Sequence, residues 1–512
     1  MPSLAGSISA IRRARANSRA SINSARSTTA TVANAATSGS STFVAERAAA
    51  APNVPQQTLD TLNSMQPQEF LELFAANCKQ KAQDQWDLGA DAAAWTLQGC
   101  QEFEPYLQYD PELGGVPVRL VNAEFLLMLA TFGRTLVRRQ DMPEEAFVEL
   151  EQLRQSKRDV RIVSVSHPWL QPDHPDPMGV NLHRLAGMLM ELMRTLDGNF
   201  GKGPLAVMID FSSMMQKGNQ GEERTPAEAA LFAKALPSLT LWYAHPVTFT
   251  LKITTMPTAY PRGYSFPRGI SPNQASYHDR GWCFFEAMIS SMVKINSKVL
   301  DLGLMPAFVP VLLYQSYPVG GSLARECMAS RQPPISPADF RVALDSKAFT
   351  SKKADLAMVG DLYAKAFEER LVAAVKLPFS CMEWGDPEIK AICRLLESSE
   401  LPHLTTLDLT GNLGITDVGV RALAETLCTA AAPALRAIRL SKGRQIGDSE
   451  ITEDHISVDA IDALKHSRSG VEVSHEVCQD GQMDDPDGSK AREMQAMISL
   501  MQAMQMAMRN TD

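Results

Sequence analysis

The chain has 512 residues, 45% of them hydrophobic and 21% charged, with a formal net charge of −9. That length admits about two to four domains, and the balance is ordinary for a globular, soluble protein. The acidic sign argues against nucleic-acid binding as the main business. No run reaches the roughly 18 apolar residues of a membrane span. The eight cysteines stand singly, with no C-x-x-C pair and no His/Cys cluster at zinc spacing. Free thiols in a reducing, cytoplasmic setting follow, with no metal and no cofactor.

Residues 1–50 are rich in Ala, Ser and Arg. Arg12, Arg13, Arg15, Arg19 and Arg26 precede any acid, which leaves −14 on the rest of the chain. Two readings stand: an unstructured tail, or an organellar transit peptide that would change the compartment. From 51 to 155 the periodicity is helical, in "EFLELFAANCKQ" (69–80), "DAAAWTLQGCQEF" (91–103) and "AEFLLMLATFGRTLV" (123–137).

Between 156 and 300 the pattern changes. "RIVSVS" (161–166), "LAVMIDF" (205–211) and "VTFTLKI" (247–253) are short β-branched runs, each followed by a polar loop and a helical segment. This alternation predicts an α/β domain with a mostly parallel sheet, whose ligands bind beyond the carboxyl ends of the strands, at Ser166, Asp210 and Ile253. Asp176-Pro177 reads as an N-cap with proline at the first helical position, and Thr225 with Glu228 as a capping box.

Residues 301–385 return to helical periodicity. In 386–445, Leu404, Leu407, Leu409 and Asn412 fit L-x-x-L-x-L-x-x-N, and a weaker copy starts at Leu435, Ile438 and Leu440. The segment resembles a ribonuclease-inhibitor-type leucine-rich repeat; two copies leave both end faces bare, so it must lean on neighbouring helices or a partner. Residues 446–490 read as an acidic linker. Its "DDPDGSK" fails as a calcium loop, because Met483 and Met494 fall where carboxylates are needed. A helix over 491–509 spaces Met494, Met497, Met501, Met504 and Met508 as a heptad seam, suited to docking on its own chain or pairing with a partner.

Within "YHDRGWCFFEAMI" (277–289) a carboxylate interrupts an apolar helix. At about 100° per residue, Trp282, Phe284, Phe285, Met288 and Ile289 share a face and Glu286 lies at its margin. The bland account is a border glutamate reaching water. Around it in sequence stand Ser166, His167 and Trp169 after the first strand, Asp210 and Gln216 after the second, and a loop (259–280) carrying Arg262, Arg268, Arg280, Tyr260, Tyr264 and Tyr277. Arginines supply forked donors for phosphate and aromatic rings supply stacking faces. Cys283 reads as a buried thiol rather than a nucleophile served by His278 or His167. His167, His174, Asp176 and His183 read as a turn and cap rather than a metal site.

Asp210 with Gln216 six residues on, Tyr243 ahead of an apolar strand, and Arg280-Gly281-Trp282 followed by Glu286 together resemble the fungal heterokaryon-incompatibility (HET) domain. The W-C-x-x-E spacing is similar to the end of Toll/interleukin-receptor (TIR) domains. The resemblance covers residues 156–300 and implies a flavodoxin-like doubly wound sheet. It also implies an NAD-like nucleotide as substrate rather than cofactor, with Glu286 catalytic in its hydrolysis. Ser166, His167, Trp169, Asp210, Arg280 and Trp282 are then substrate-binding. Two departures stand out: Ser213 replaces the cysteine common in the HET motif, and His167-Pro168-Trp169 replaces the aromatic and arginine more frequent in TIR domains. The second reading is a non-enzymatic signalling or assembly module, contacting a partner protein or a second copy through the α/β domain, the leucine-rich segment or the Met-rich helix. A nucleotide sensor without turnover is a third.

Overall fold

The computed structural model describes residues 93–218, 222–255, 273–305, 322–349, 352–429, 431–446, 449–451 and 455–479, with scattered positions between 65 and 89. The expectations for residues 1–50, for loop residues 256–272, for the calcium-like sequence and for the Met-rich helix lie outside them. Among the described residues no helix is long and apolar enough to cross a membrane. Two sheets are present. A six-stranded, mostly parallel sheet flanked by helices has the order β2-β1-β4-β3-β5-β6, and a second sheet has the order β10-β9-β8-β7 with β11 paired to β9. The chain divides into two compact units, Met1–Leu236, Ile253–Ser276 and Leu302–Leu323 in the first, Pro237–Lys252, Tyr277–Asp301 and Ala324–Asp512 in the second.

In the first unit, β1 (Leu120–Asn122) pairs antiparallel with both β2 (Phe147–Val148) and β4 (Ala206–Met208). β3 (Ile162–Ser166) runs parallel to β4, in the register Ile162↔Ala206 and Ser164↔Met208. All five β3 residues are buried, as befits a parallel strand covered on both faces. Helix α1 (Ala123–Thr131) is capped by Asn122, whose side chain accepts from Glu124 N–H, and packs on α2 (Val180–Phe200). The cap expected at Asp176-Pro177 falls elsewhere. Helix α2 begins at Val180 behind Gly179, and the fully buried Asp176 reaches forward to accept from Val180 and Leu182 N–H, both at 2.9 Å. One carboxylate thus satisfies two orphan donors without being the capping residue. Helix α3 (Pro226–Ala235) opens with the expected Thr225–Glu228 capping box and proline first.

In the second unit, helix α4 (Leu239–Ala244) leads into β5 (Phe249–Lys252), which runs parallel to β6 (Val299–Asp301) with Lys252 opposite Asp301 at their carboxyl ends. Helix α5 (Gly281–Ser290) packs against α4 and α7 (Lys352–Ala366), and α6 (Pro337–Leu344) packs on α7. Rings of Phe284, Phe340 and Tyr363 stack nearly parallel, at 5.2 and 3.7 Å between centroids.

Beyond them the chain alternates β7 (Lys376–Pro378), α8 (Asp386–Ser398), β8 (Thr406–Asp408), α9 (Asp417–Leu427) and β9 (Ala437–Ile446). It continues through β10 (Ser449–Ile451) and α10 (Val458–Ser467) to β11 (Glu472–Gln479). Lys376, Thr406, Ala437 and Glu472 are register partners on parallel strands. Pro378 is tolerated because β7 ends the sheet, where a missing donor has no strand to serve. The strand–helix unit therefore extends past 386–445 at both ends, and within the segment expected as acidic linker the described residues form β10, α10 and β11.

Polar side chains stitch successive turns of this unit. Asn412 uses both ends of its amide: Oδ1 accepts from Met382 and Trp384 N–H at 2.8 and 3.1 Å, and Nδ2 donates to the carbonyls of Phe379 and Leu409 at 2.7 and 2.9 Å. Asp386 accepts from the amide and hydroxyl of Thr416 and from Gly419 N–H, and Asp417 does the same for Ser457. Asn412→Ala removes four hydrogen bonds to buried backbone groups at once, so it should lower the unfolding free energy by about 3 kcal/mol in urea titration. A loss below about 0.5 kcal/mol, the scatter of ordinary surface changes, would contradict this accounting.

Candidate functional site

In the first unit, three of the expected residues meet at the carboxyl ends of β3 and β4. Asp210 opens a single helical turn, Asp210–Ser213, immediately after β4. Its Oδ1 accepts from His167 Nε2–H at 3.0 Å and from Phe211 N–H at 2.7 Å; Oδ2 accepts from Trp169 Nε1–H at 2.8 Å. The His167 side chain is 2% exposed, whereas that of Asp210 is 28% exposed. With both oxygens engaged, Asp210 is a brace: it fixes the indole and imidazole after β3 onto the turn after β4. The Trp169 ring also meets Phe211 edge-on at 5.5 Å.

The same turn explains two other motif residues. Gln216 Nε2 donates to the carbonyls of Asp210 and Met214, holding the chain that leaves the turn. Ser213, where the resemblance expects cysteine, is fully buried and its Oγ accepts from Ile209 N–H at 3.0 Å, closing the turn. Buried Arg139 donates to the carbonyls of Val116, Pro117 and Ser213, and burial lowers its pKa to about 10. Ser166 is fully buried and its carbonyl accepts from Ile253 N–H at 2.9 Å, so its backbone joins two of the three expected strand ends.

His174 sits beside this cluster, 4.8 Å from the Phe211 ring. Its Nδ1 accepts from Asp176 N–H and its Nε2–H donates to Leu136 C=O, both at 3.0 Å. That pair of bonds needs the neutral ring, and burial lowers the His174 pKa from its ordinary 6.5.

In the second unit, Arg280, Trp282 and Glu286 share one helix and its entry. At Gly281 a Cβ would lie 1.8 Å from the end of the half-buried Phe349 ring, so any larger residue needs that ring to shift. Gly281 N–H also donates to Ala348 C=O, and Ala348 N–H to Asp279 C=O, which pins the start of α5. Arg280 is buried, Trp282 half-buried, and Glu286 only 7% exposed. Cys283 is buried at 4% exposure, as expected for a packed thiol.

The far end of α5 is held by groups that belong to no sequence motif. Lys294, fully buried, donates to Thr248 Oγ1 at 2.7 Å and to Thr250 Oγ1 at 2.8 Å. Ser290 Oγ–H donates to Glu286 C=O at 2.7 Å, so the 3.1 Å contact between Thr250 and Ser290 is donated by Thr250. The bonds therefore run one way, from Lys294 through Thr250 and Ser290 to the Glu286 carbonyl. Two hydroxyl acceptors and no carboxylate match an uncharged amine, and burial pushes the Lys294 pKa well down. Arg331, also buried, donates to Lys294 C=O at 2.9 Å and has its pKa lowered to about 9 by burial. A readable trace of this cluster was present: Thr248, Thr250 and Lys252 alternate along an otherwise apolar strand, which marks a polar face.

Two outcomes follow. Asp210→Asn replaces an acceptor with a donor opposite His167 or Trp169, and should cost about 2 kcal/mol in urea titration, with no change meaning that the brace carries nothing. Stability should also fall on acidification: below 6.5 the unfolded chain binds a proton at His174 that the folded chain refuses, until pH passes the lowered folded pKa. In His174→Gln the slope of unfolding free energy against pH in that window should shrink by up to about one proton; an unchanged slope would assign it to other groups. No family model, curated protein or solved structure matches this chain.

Proposed function

We propose that residues 156–300 are a TIR/HET-like domain and that the chain hydrolyses NAD or a close relative through Glu286. The observation that carries this reading is a carboxylate held at 7% exposure in the middle of α5, directly after an Arg-Gly-Trp entry whose glycine has a steric reason. The strand order supports a flavodoxin-like sheet, since β3 to β6 stand as β4-β3-β5-β6. The Asn412 bonds and the parallel strand–helix repeat support a leucine-rich-repeat-like segment.

Cleavage of the nicotinamide–ribose bond passes through a ribosyl cation. A desolvated carboxylate stabilises that charge as nicotinamide departs with the bonding pair and without needing an acid; water then adds to the anomeric carbon and releases its proton to solvent. Trp282, half-buried one turn before Glu286, offers an aromatic face, and Arg280 an anion partner. Ser166, His167, Trp169 and Asp210 enter as substrate contacts through the resemblance alone.

Glu286→Gln keeps the shape and removes the charge. Nicotinamide release from NAD should fall roughly 10²–10³-fold while the melting temperature holds. Full activity in the variant would remove Glu286 from the chemistry. Inactivity of the parent toward every nicotinamide dinucleotide would favour the assembly-module reading.

A further inference from the structure

The amine that anchors the end of α5 is bonded by hydroxyls alone. Lys294 is fully buried, and its Nζ donates to Thr248 Oγ1 at 2.7 Å and to Thr250 Oγ1 at 2.8 Å. Among the described residues it has no third acceptor and no carboxylate partner. Both hydroxyl protons are committed elsewhere: Thr248 donates to the Trp242 carbonyl at 2.8 Å, and Thr250 to Ser290 Oγ at 3.1 Å. A neutral amine carries two N–H groups, so two acceptors saturate it. An ammonium carries three, and the third would be stranded in the interior.

The charged groups facing Lys294 are all basic. Lys298 lies beside Thr248, where it donates to the carbonyls of Pro246 and Val247 at 3.1 and 3.0 Å. Arg331 Nη2 donates to the Lys294 carbonyl at 2.9 Å, and Arg370 acts from the helical segment Phe367–Val372. Burial first, then these three cations, push the Lys294 pKa well below its ordinary 10.5.

We propose that Lys294 is a proton-sensitive latch: uncharged, it ties the end of α5 to β5, and protonation releases that end. Lys294 is a positioning residue, since the run through Thr250 and Ser290 ends on the Glu286 carbonyl. The latch goes beyond the hydrolase reading and holds whatever chemistry Glu286 performs. Linkage fixes its sign. Between the lowered folded pKa and 10.5, the unfolded chain binds a proton at Lys294 that the folded chain lacks. Stability therefore rises with pH across that window, by up to about tenfold in the folding equilibrium per pH unit, and falls on acidification.

The test uses the full chain. In urea titrations at stepped pH towards 10.5, the parent should show this rise, and Lys294→Met should lose up to about one proton of the slope. A merely structural lysine would shift stability equally at every pH. On acidification, hydrogen exchange should show the parent's amides at 286–291 losing protection before the rest of the second unit, and Lys294→Met should lack that step. If Lys294→Met does not fold, the Nζ resonance of the parent decides by nitrogen-15 NMR, with titration expected below 10.5. Equal slopes in parent and variant, α5 amides that open only with the whole unit, or an Nζ that titrates at 10.5 would overturn the proposal.

Discussion

The helix that carries Glu286 is held by hydrogen bonds of one polarity. Lys294 donates to Thr250, Thr250 to Ser290 and Ser290 to the Glu286 carbonyl, while Arg331 closes the carbonyl of Lys294 itself. Every proton in this run has one destination, so the last turn of α5 cannot rotate without stranding a buried donor. At the other end Gly281 lets the Phe349 ring sit where a side chain would start. The position of Glu286 along and around α5 is set by these two anchors, and the functional reading depends on it.

The first unit obeys the same constraint with different groups. Asp176 and Arg139 are buried and Asp210 is part-buried; Asp210 and Arg139 are met by partners from distant segments, and Asp176 by amides four and six residues on. Such groups specify loop geometry because a shifted loop would leave a charge or an amide unpaired. Saturation also bears on chemistry. A carboxylate with both oxygens occupied, as at Asp210, braces a loop.

Much of this was legible where one rule acted locally. The Thr225–Glu228 box and the β-branched run at 161–166 depend on neighbours within a few residues and form as the sequence predicts, whereas the run at 205–211 gives a strand only over Ala206–Met208 because Asp210 opens a helical turn. Asp176 was misplaced because its acceptors serve amides four and six residues on, across a bend at Gly179 that no cap pattern encodes. The strand–helix repeat was read too short. Its flanking strands, "KLP" and "EVSHEVCQ", lack the leucine spacing and become strands by pairing with β8 and β9. The alternation of Thr248, Thr250 and Lys252 was visible, but a polar face in a buried strand gains meaning only once Ser290 and Lys294 are known to cover it.

The TIR/HET-like reading comes down to bond cleavage at one ribose. Its most direct measurement is the product balance when the purified chain is incubated with NAD: nicotinamide and ADP-ribose should appear in equal amounts as NAD disappears. NAD recovered intact after prolonged incubation with folded protein would contradict the account.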